Sequence, residues 1–337
     1  MGTVIPLKKE INNSYLELKN LAGRKLGGVS QLIEDRLASK INLVRKMTDH
    51  HLNSGGKRIR PLLTLAASKL CGYTNGNRDV NLAACIELIH SATLLHDDVI
   101  DNGKLRRGAK TTNSIWGNQS SILVGDYLFS RCFEMMVEDG SSEILRLLSS
   151  TSSTIAQGEI LQLEHKGEID VLEETYFNII GMKTAALFSA STRVGACITN
   201  KSKKEKDALE SYGKNLGLAF QIADDALDYY SVKKAFGKEI GKDFFEGKAT
   251  LPLIIIFQRA NNEERTFLKE IFKKDERNLD DFSETLALIN KYKAVKASLK
   301  RAEYFVNISC GALEVFEDSI EKNILQKLTG FSLNRSF

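Results

Sequence analysis

Only three prolines, Pro6, Pro61 and Pro252, occur in 337 residues. Proline lacks a backbone donor and clashes with the preceding turn, so it is the strongest interruption of a helix. A chain this long with so few interruptions can build long helices. Strand-like alternation is scarce, and segments of helical periodicity follow one another between short turns. Gly55-Gly56 breaks the chain ahead of Pro61, which suits the first turn of the next helix. The periodicity predicts helices over about residues 80–101, 120–137, 142–165, 173–194 and 204–230. Asn75-Gly76-Asn77 is a turn, and Gly103 and Gly108 bracket a polar loop. Residues 231–248 are polar and glycine-containing and read as a loop, after which Pro252 opens another helix. The remainder to Phe337 is helical and amphipathic. With no linker and no repeat, the expectation is an all-α fold in one large domain, residues 1–337. Its motif-bearing core spans about 30–260, with a C-terminal helical segment over about 261–337.

Composition narrows the class. Hydrophobic residues make up 42% and charged residues 27%, as in ordinary globular proteins. A net charge of +4 with no concentrated basic stripe gives no case for nucleic-acid binding. The five cysteines, Cys71, Cys85, Cys132, Cys197 and Cys310, are scattered and odd in number. They read as reduced thiols of a cytoplasmic protein rather than a disulfide or zinc framework. The N-terminus carries early charges and no continuous apolar run, unlike a secretory signal. The most apolar run, residues 251–257, is too short to span a bilayer.

The chemistry concentrates in two acid clusters. His96-Asp97-Asp98-Val99-Ile100-Asp101 closes an apolar helix. Positions i and i+4 share a helix face, so Asp97 and Asp101 project together, with Asp98 turned by roughly 100°. Such crowded carboxylates weaken a helix unless a cation bridges them. Magnesium suits the site, because it takes one or two carboxylates and fills its other positions with water and phosphate oxygens. A solvated acidic helix end is the competing reading of one such cluster. The spacing then recurs in Asp224-Asp225-Ala226-Leu227-Asp228, again in apolar context, which a chance surface cluster explains poorly. Two such helices face to face would clamp a diphosphate through metal ions. Basic residues stand beside glycines or polar loops: Lys57, Arg58 and Arg60 after Gly55-Gly56, Arg106-Arg107, Lys183, Lys238 and Lys248. Phosphate-bearing substrates need such cations, although any one of them alone reads as a solvated surface charge. Gly-Gly-Lys-Arg lacks the spacing of a Walker A loop.

Five segments in order carry a resemblance: GGKRIRP, LIHSATLLHDDVIDNGKLRRG, GMKTAALF, GLAFQIADDALDY and GKDFFEGKATLP. In order and spacing the chain resembles the trans-isoprenyl diphosphate synthase family, most closely bacterial octaprenyl and decaprenyl diphosphate synthases. The resemblance implies a single helical bundle of the isoprenoid synthase type with a central active-site cavity. It implies magnesium, three ions per site, held by Asp97, Asp98, Asp101, Asp224 and Asp228, with Asp225 completing the second motif. Arg106, Lys183 and Lys238 match contacts to the allylic diphosphate. Lys57, Arg60, His90 and Arg107 match the isopentenyl diphosphate site, which Arg335 would also reach. Thr184 and Gln221 match positions beside the forming carbocation, and Lys248 a lysine near the phosphates. Asn102-Gly103-Lys104 departs from the commoner polar triplet before LRRG, in a loop that tolerates variation. A homodimer is implied, and transient membrane contact would suit an insoluble product.

Product length is expected to depend on the residues one turn before the first motif. Ala92 and Thr93 are small, and Ile89, Ile86 and Cys85 behind them are not aromatic. That leaves room for a deep tunnel and a long product of the kind used for ubiquinone side chains. Close helix packing is the other use of small residues here. A short-chain farnesyl or geranylgeranyl synthase and a non-catalytic partner subunit are the alternatives. Both acid motifs are intact, which argues against the subunit. A phosphohydrolase built on His51 and His96-Asp97 would leave the second motif unexplained. A terpene cyclase would not need Lys57, Arg60, His90 and Arg107.

Overall fold

The computed structural model describes residues 7–230 and 241–333. The helices run α1 Leu7–Ala22, α2 Arg24–Leu37, α3 Asn42–Asn53, α4 Ile59–Leu70 and α5 Arg78–Ile100. A two-stranded ribbon follows, β1 Leu105–Arg106 antiparallel to β2 Ala109–Lys110. Then come α6 Thr112–Trp116, α7 Asn118–Asp139, α8 Ser142–Glu164, α9 Glu173–Ile180, α10 Ala186–Ile198 and α11 Lys203–Leu227. The chain closes with α12 Lys242–Phe245, α13 Leu251–Arg259, α14 Asn262–Phe272, α15 Leu279–Lys291, α16 Ala294–Ala312 and α17 Ile320–Leu333. The fold is all-α, as the periodicity predicts. The ribbon is the exception, folding the Gly103–Gly108 loop back on itself.

Local chemistry sets the boundaries. Ser141 caps α8 by accepting from Ile144 N. Ser202 with Glu205, Asn261 with Glu264 and Asn278 with Asp281 form reciprocal capping boxes on α11, α14 and α15. Gly140 ends α7 in the left-handed conformation. The helix expected over 173–194 is interrupted by a π-turn, Gly181–Ala185, between α9 and α10. Such turns recur at functional sites, and this one carries Lys183 and Thr184.

The helices with buried residues on nearly every side, α5 and α10, form the centre. α5 packs on α7, α10 on α4 and α11, and α11 on α16. α11 divides two apolar clusters: Leu209, Tyr212 and Leu216 belong to the first, Leu218, Ala219 and Ile222 to the second. The second acid motif is thus carried on a helix clamped from both sides. Glycine permits the close approach. A Cβ on Gly217 would lie 2.7 Å from Ala185 Cα, and one on Gly213 would meet the Thr192 hydroxyl and the Phe188 carbonyl. Gly213→Val should therefore destabilise the fold by about 3 kcal/mol, read as a lower denaturant midpoint. An unchanged midpoint would show that α10 and α11 can separate freely. Four cysteines are buried and Cys310 partly so, all unbridged. Among the described residues, no helix is long and apolar enough to cross a membrane.

Candidate active site

The acid motifs close α5 and α11, and Lys248 lies between the first motif and Asp243, which caps the second. Its Nζ lies 2.9 Å from Asp101 Oδ1 and 2.8 Å from Glu246 Oε2, on the segment that follows α12. The start of α12 caps the second motif, as Asp228 accepts from Asp243 N at 3.0 Å and Gly241 N at 3.2 Å.

Within each motif the three carboxylates differ. Asp97 and Asp101 share the accessible face. Burial pushes Asp97 up to about 7, with Lys183 opposing and Glu159 and Asp101 adding to the shift. Burial would raise Asp101 too, but Lys248 outweighs it and holds that carboxyl below the usual range. Asp98 is buried and gripped by Arg106, whose Nη2 and Nε lie 2.8 and 3.0 Å from Oδ1. In the second motif Asp224 is exposed and Asp228 half-buried. Asp225 is buried, accepting from Tyr176 Oη at 2.6 Å and Gln221 Nε2 at 2.7 Å. Gln221 Oε1 accepts from Thr184 Oγ1 at 2.9 Å. Asp243 joins this cluster, and burial beside Asp225 and Asp228 holds its proton far above the usual range.

Among the described residues, no three His, Cys, Asp or Glu side chains are gathered tightly enough to hold a metal alone. The accessible carboxylates instead come in pairs that share a helix face, Asp97 with Asp101 and Asp224 with Asp228. All are hard oxygen donors, the arrangement that suits a divalent cation completing its shell with substrate phosphate.

The cations fall into two sets. Lys183 Nζ reaches Glu159 Oε2 at 2.7 Å and Gln162 Oε1 at 2.9 Å, so it stands at the cleft wall beside Asp97. Lys238, expected beside it, lies outside the described residues, as does Arg335. The second set surrounds α4. Arg60 lies 4.5 Å over the Phe188 ring, with a buried Nε that makes no hydrogen bond. Burial pushes its pKa down to about 10, against the pull of Glu87. Arg58 adopts a left-handed backbone and bonds the Ser30 hydroxyl. Arg107 donates to the Gly55 carbonyl. Lys57 is exposed, 6.0 Å from the Tyr15 ring. His90 and His51 sit among these arginines. Burial first, and then the neighbouring positive charges, drive both below the ordinary histidine range, His51 to about 4.

His51 gives this a pH signature. Its folded pKa is depressed, so its contribution to stability is present above about pH 6.5 and is lost as pH falls towards about 4. His51→Gln should flatten the loss of stability over that window, measured by denaturation at each pH. Parallel curves would place His51 outside the cationic pocket.

On α5, His90, Thr93, Leu94, Asp97 and Asp101 are all partly accessible and recur every three or four positions. Thr93 therefore shares the face of the first motif, and its hydroxyl donates to the His90 carbonyl at 2.8 Å. Ala92 and Ile89 are fully buried in the apolar core. His96 turns away, its Nε2 3.1 Å from the Ile122 carbonyl. His50 Nε2 lies 2.8 Å from the Lys110 carbonyl.

Sequence reading did not single out Glu159, Tyr176, Asp243 or Glu87. Asp243 had a signal, lying inside the quoted GKDFFEGK run. Tyr176 and Glu159 had none, since each meets its partner only through the fold.

A family model described as polyprenyl synthetase matches residues 41–289. The octaprenyl diphosphate synthase of Escherichia coli (strain K12) is 35% identical over 320 residues, 95% of this chain and 98% of that protein. The short chain isoprenyl diphosphate synthase of Methanothermobacter thermautotrophicus is also 35% identical, over 315 residues, 91% of this chain and 96% of that protein. A polyprenyl synthase from Caulobacter crescentus CB15, solved with calcium and isoprenyl diphosphate, superposes with a TM-score of 0.91 at 40% identity, covering 96% of this chain and 98% of that one.

Proposed function

This chain belongs to the polyprenyl synthetase family and is a prenyltransferase with the all-α isoprenoid synthase fold, and we propose that it is a long-chain all-trans polyprenyl diphosphate synthase. It condenses isopentenyl diphosphate onto an allylic diphosphate such as farnesyl diphosphate, making an octaprenyl to decaprenyl product for ubiquinone side chains. The observation that carries this reading is the pairing of two acid motifs, linked through Lys248 and the Asp243 that caps Asp228, with a separate cluster of cations around Arg60. One diphosphate would leave and another would stay, and each has its own ground.

The site's residues divide the work accordingly. Asp97, Asp101, Asp224 and Asp228 would hold magnesium, three ions per site, with Asp98 and Asp225 behind them. The bound metal supplies neutralisation of the leaving diphosphate. Lys248 stands beside Asp101, Lys183 beside Glu159, and Arg106 braces Asp98; Lys183, Lys238 and Arg106 would meet the allylic diphosphate. Lys57, Arg60, His90 and Arg107 would fix isopentenyl diphosphate so that its double bond faces the allylic carbon. As the allylic C–O bond breaks, its electron pair leaves with the diphosphate. The isopentenyl double bond supplies the new C–C bond, and a proton passes to the departing diphosphate. No protein base is needed, which suits His90 and His51, both held below the ordinary histidine range.

The rest of the reading has physical support on the surface. Ile122, Phe133 and Val137 are exposed on one side of α7, as a homodimer interface would require. Ile160, Leu163 and Leu172 are exposed near the cleft residue Gln162, a suitable rim for transient membrane contact by a cytoplasmic protein. The chain then acts as one polyprenyl synthase domain. A shorter-chain product is the second reading, favoured by the complete burial of Ala92 and Ile89 and by the equal identity of the short-chain relative.

The test is a product assay with purified protein, farnesyl diphosphate, labelled isopentenyl diphosphate and magnesium. A discrete octaprenyl to decaprenyl product is expected. A geranylgeranyl product would keep the reaction and select the short-chain reading. No condensation by folded protein, restored by a second protein, would make it a partner subunit.

A further inference from the structure

Asp225 differs from Asp224 and Asp228 in having both carboxylate oxygens already engaged. Oδ2 accepts from Tyr176 Oη at 2.6 Å and Oδ1 from Gln221 Nε2 at 2.7 Å. Asp225 and Tyr176 are 4% and 3% exposed, so water does not compete for these bonds. A carboxylate only accepts, so it admits the Gln221 amide in one orientation, NH2 group inward. The amide oxygen is thereby turned the other way, where it accepts from Thr184 Oγ1 at 2.9 Å. All four side chains line the same cleft as Lys183. The carbonyl oxygen is the negative end of the amide dipole. Fixed toward the allylic carbon it stabilises a developing cation, whereas a flipped amide would present N–H groups and oppose it.

We propose that Tyr176 is a positioning residue for prenyl transfer, acting through Asp225 to hold the Gln221 amide oxygen toward the forming allylic cation. This rests on the prenyl-transfer reading of the site. In this role Asp225 braces the site and is not itself a principal metal ligand. Without the tyrosyl hydroxyl, Oδ2 is left buried with no donor. The carboxylate then rotates to recover a partner, and Gln221 is released from its single orientation.

The test is a double-mutant cycle between Tyr176→Phe and Gln221→Leu, assayed for farnesyl diphosphate elongation. Tyr176→Phe should lower kcat roughly tenfold, with KM for both substrates and the magnesium activation midpoint unchanged. In the Gln221→Leu background the same change should have almost no further effect. Equal losses in both backgrounds, or a shifted magnesium midpoint, would overturn the proposal. Thermal unfolding of each variant reports whether the fold is intact. If phenylalanine at 176 unfolds the protein, Tyr176→Met, also lacking a hydroxyl, carries the cycle with the same expected outcomes. If the wild-type protein condenses nothing, the prenyl-transfer reading falls and this inference with it. Condensation by the wild type with additive losses removes this inference alone.

Discussion

Asp97→Ala should lower kcat/KM for prenyl transfer by about a thousandfold, or about 4 kcal/mol of transition-state stabilisation. Asp97 is the accessible carboxylate beside Lys183 and Glu159, and burial already holds it up to about 7. Asp224→Ala should give a loss of the same order, since Asp224 is the exposed member of the second motif. Chelation should abolish turnover, and magnesium should restore it. Asp126→Ala is the control. It lies 3.5 Å from His96 on a solvent-exposed part of α7 and should leave the rate within about twofold. A small effect at Asp97 and Asp224 with intact metal dependence would show that the metal is held elsewhere. Asp98→Asn is expected to fail differently. It would strip the half-buried Arg106 guanidinium of its bidentate partner, so Arg106 should lose its place and substrate KM should rise along with any loss in kcat.

Thr93→Phe should shorten the product from the octaprenyl-to-decaprenyl range to a farnesyl or geranylgeranyl length. Thr93 lies four residues before Asp97 on the same accessible face, so an aromatic ring there would stand across the path of the growing chain. Product analysis by reversed-phase chromatography reads the outcome directly. Ala92→Phe should also shorten the product, but it carries a second effect. Ala92 is fully buried among core side chains, so a phenyl ring there overpacks the core at about 1–3 kcal/mol. Thr93→Phe is therefore the cleaner probe. Unchanged product length in a folded, active Thr93→Phe variant would remove the tunnel behind the first motif from the account.

The two acid motifs were legible because helix periodicity is local. Asp97 with Asp101, and Asp224 with Asp228, share a face by their four-residue spacing alone, and the apolar residues around them mark both helices as core elements. The all-α class was legible for the same reason, as were the starts of α8 and α11, where Ser141 and Ser202 cap backbone donors only a few residues away. The interruption of α9 and α10 by a π-turn was not, since a single glycine, Gly181, is no sufficient signal for it and the turn's neighbours, α11 and α8, are distant in sequence.

What each aspartate does was decided by the fold. Asp98 and Asp225 occupy the same position in their motifs and read alike in sequence. In the structure one is held by Arg106 and the other by Tyr176 and Gln221. Tyr176 is 49 residues from Asp225, and Lys248 is 147 residues from Asp101. The sequence by itself determined which carboxylates could point together, because that follows from 3.6 residues per turn. Only the tertiary structure decided which of them stay open to a cation. Burial and partner choice depend on side chains brought in from distant helices, and a carboxylate's charge responds to the dielectric and the donors that surround it in space.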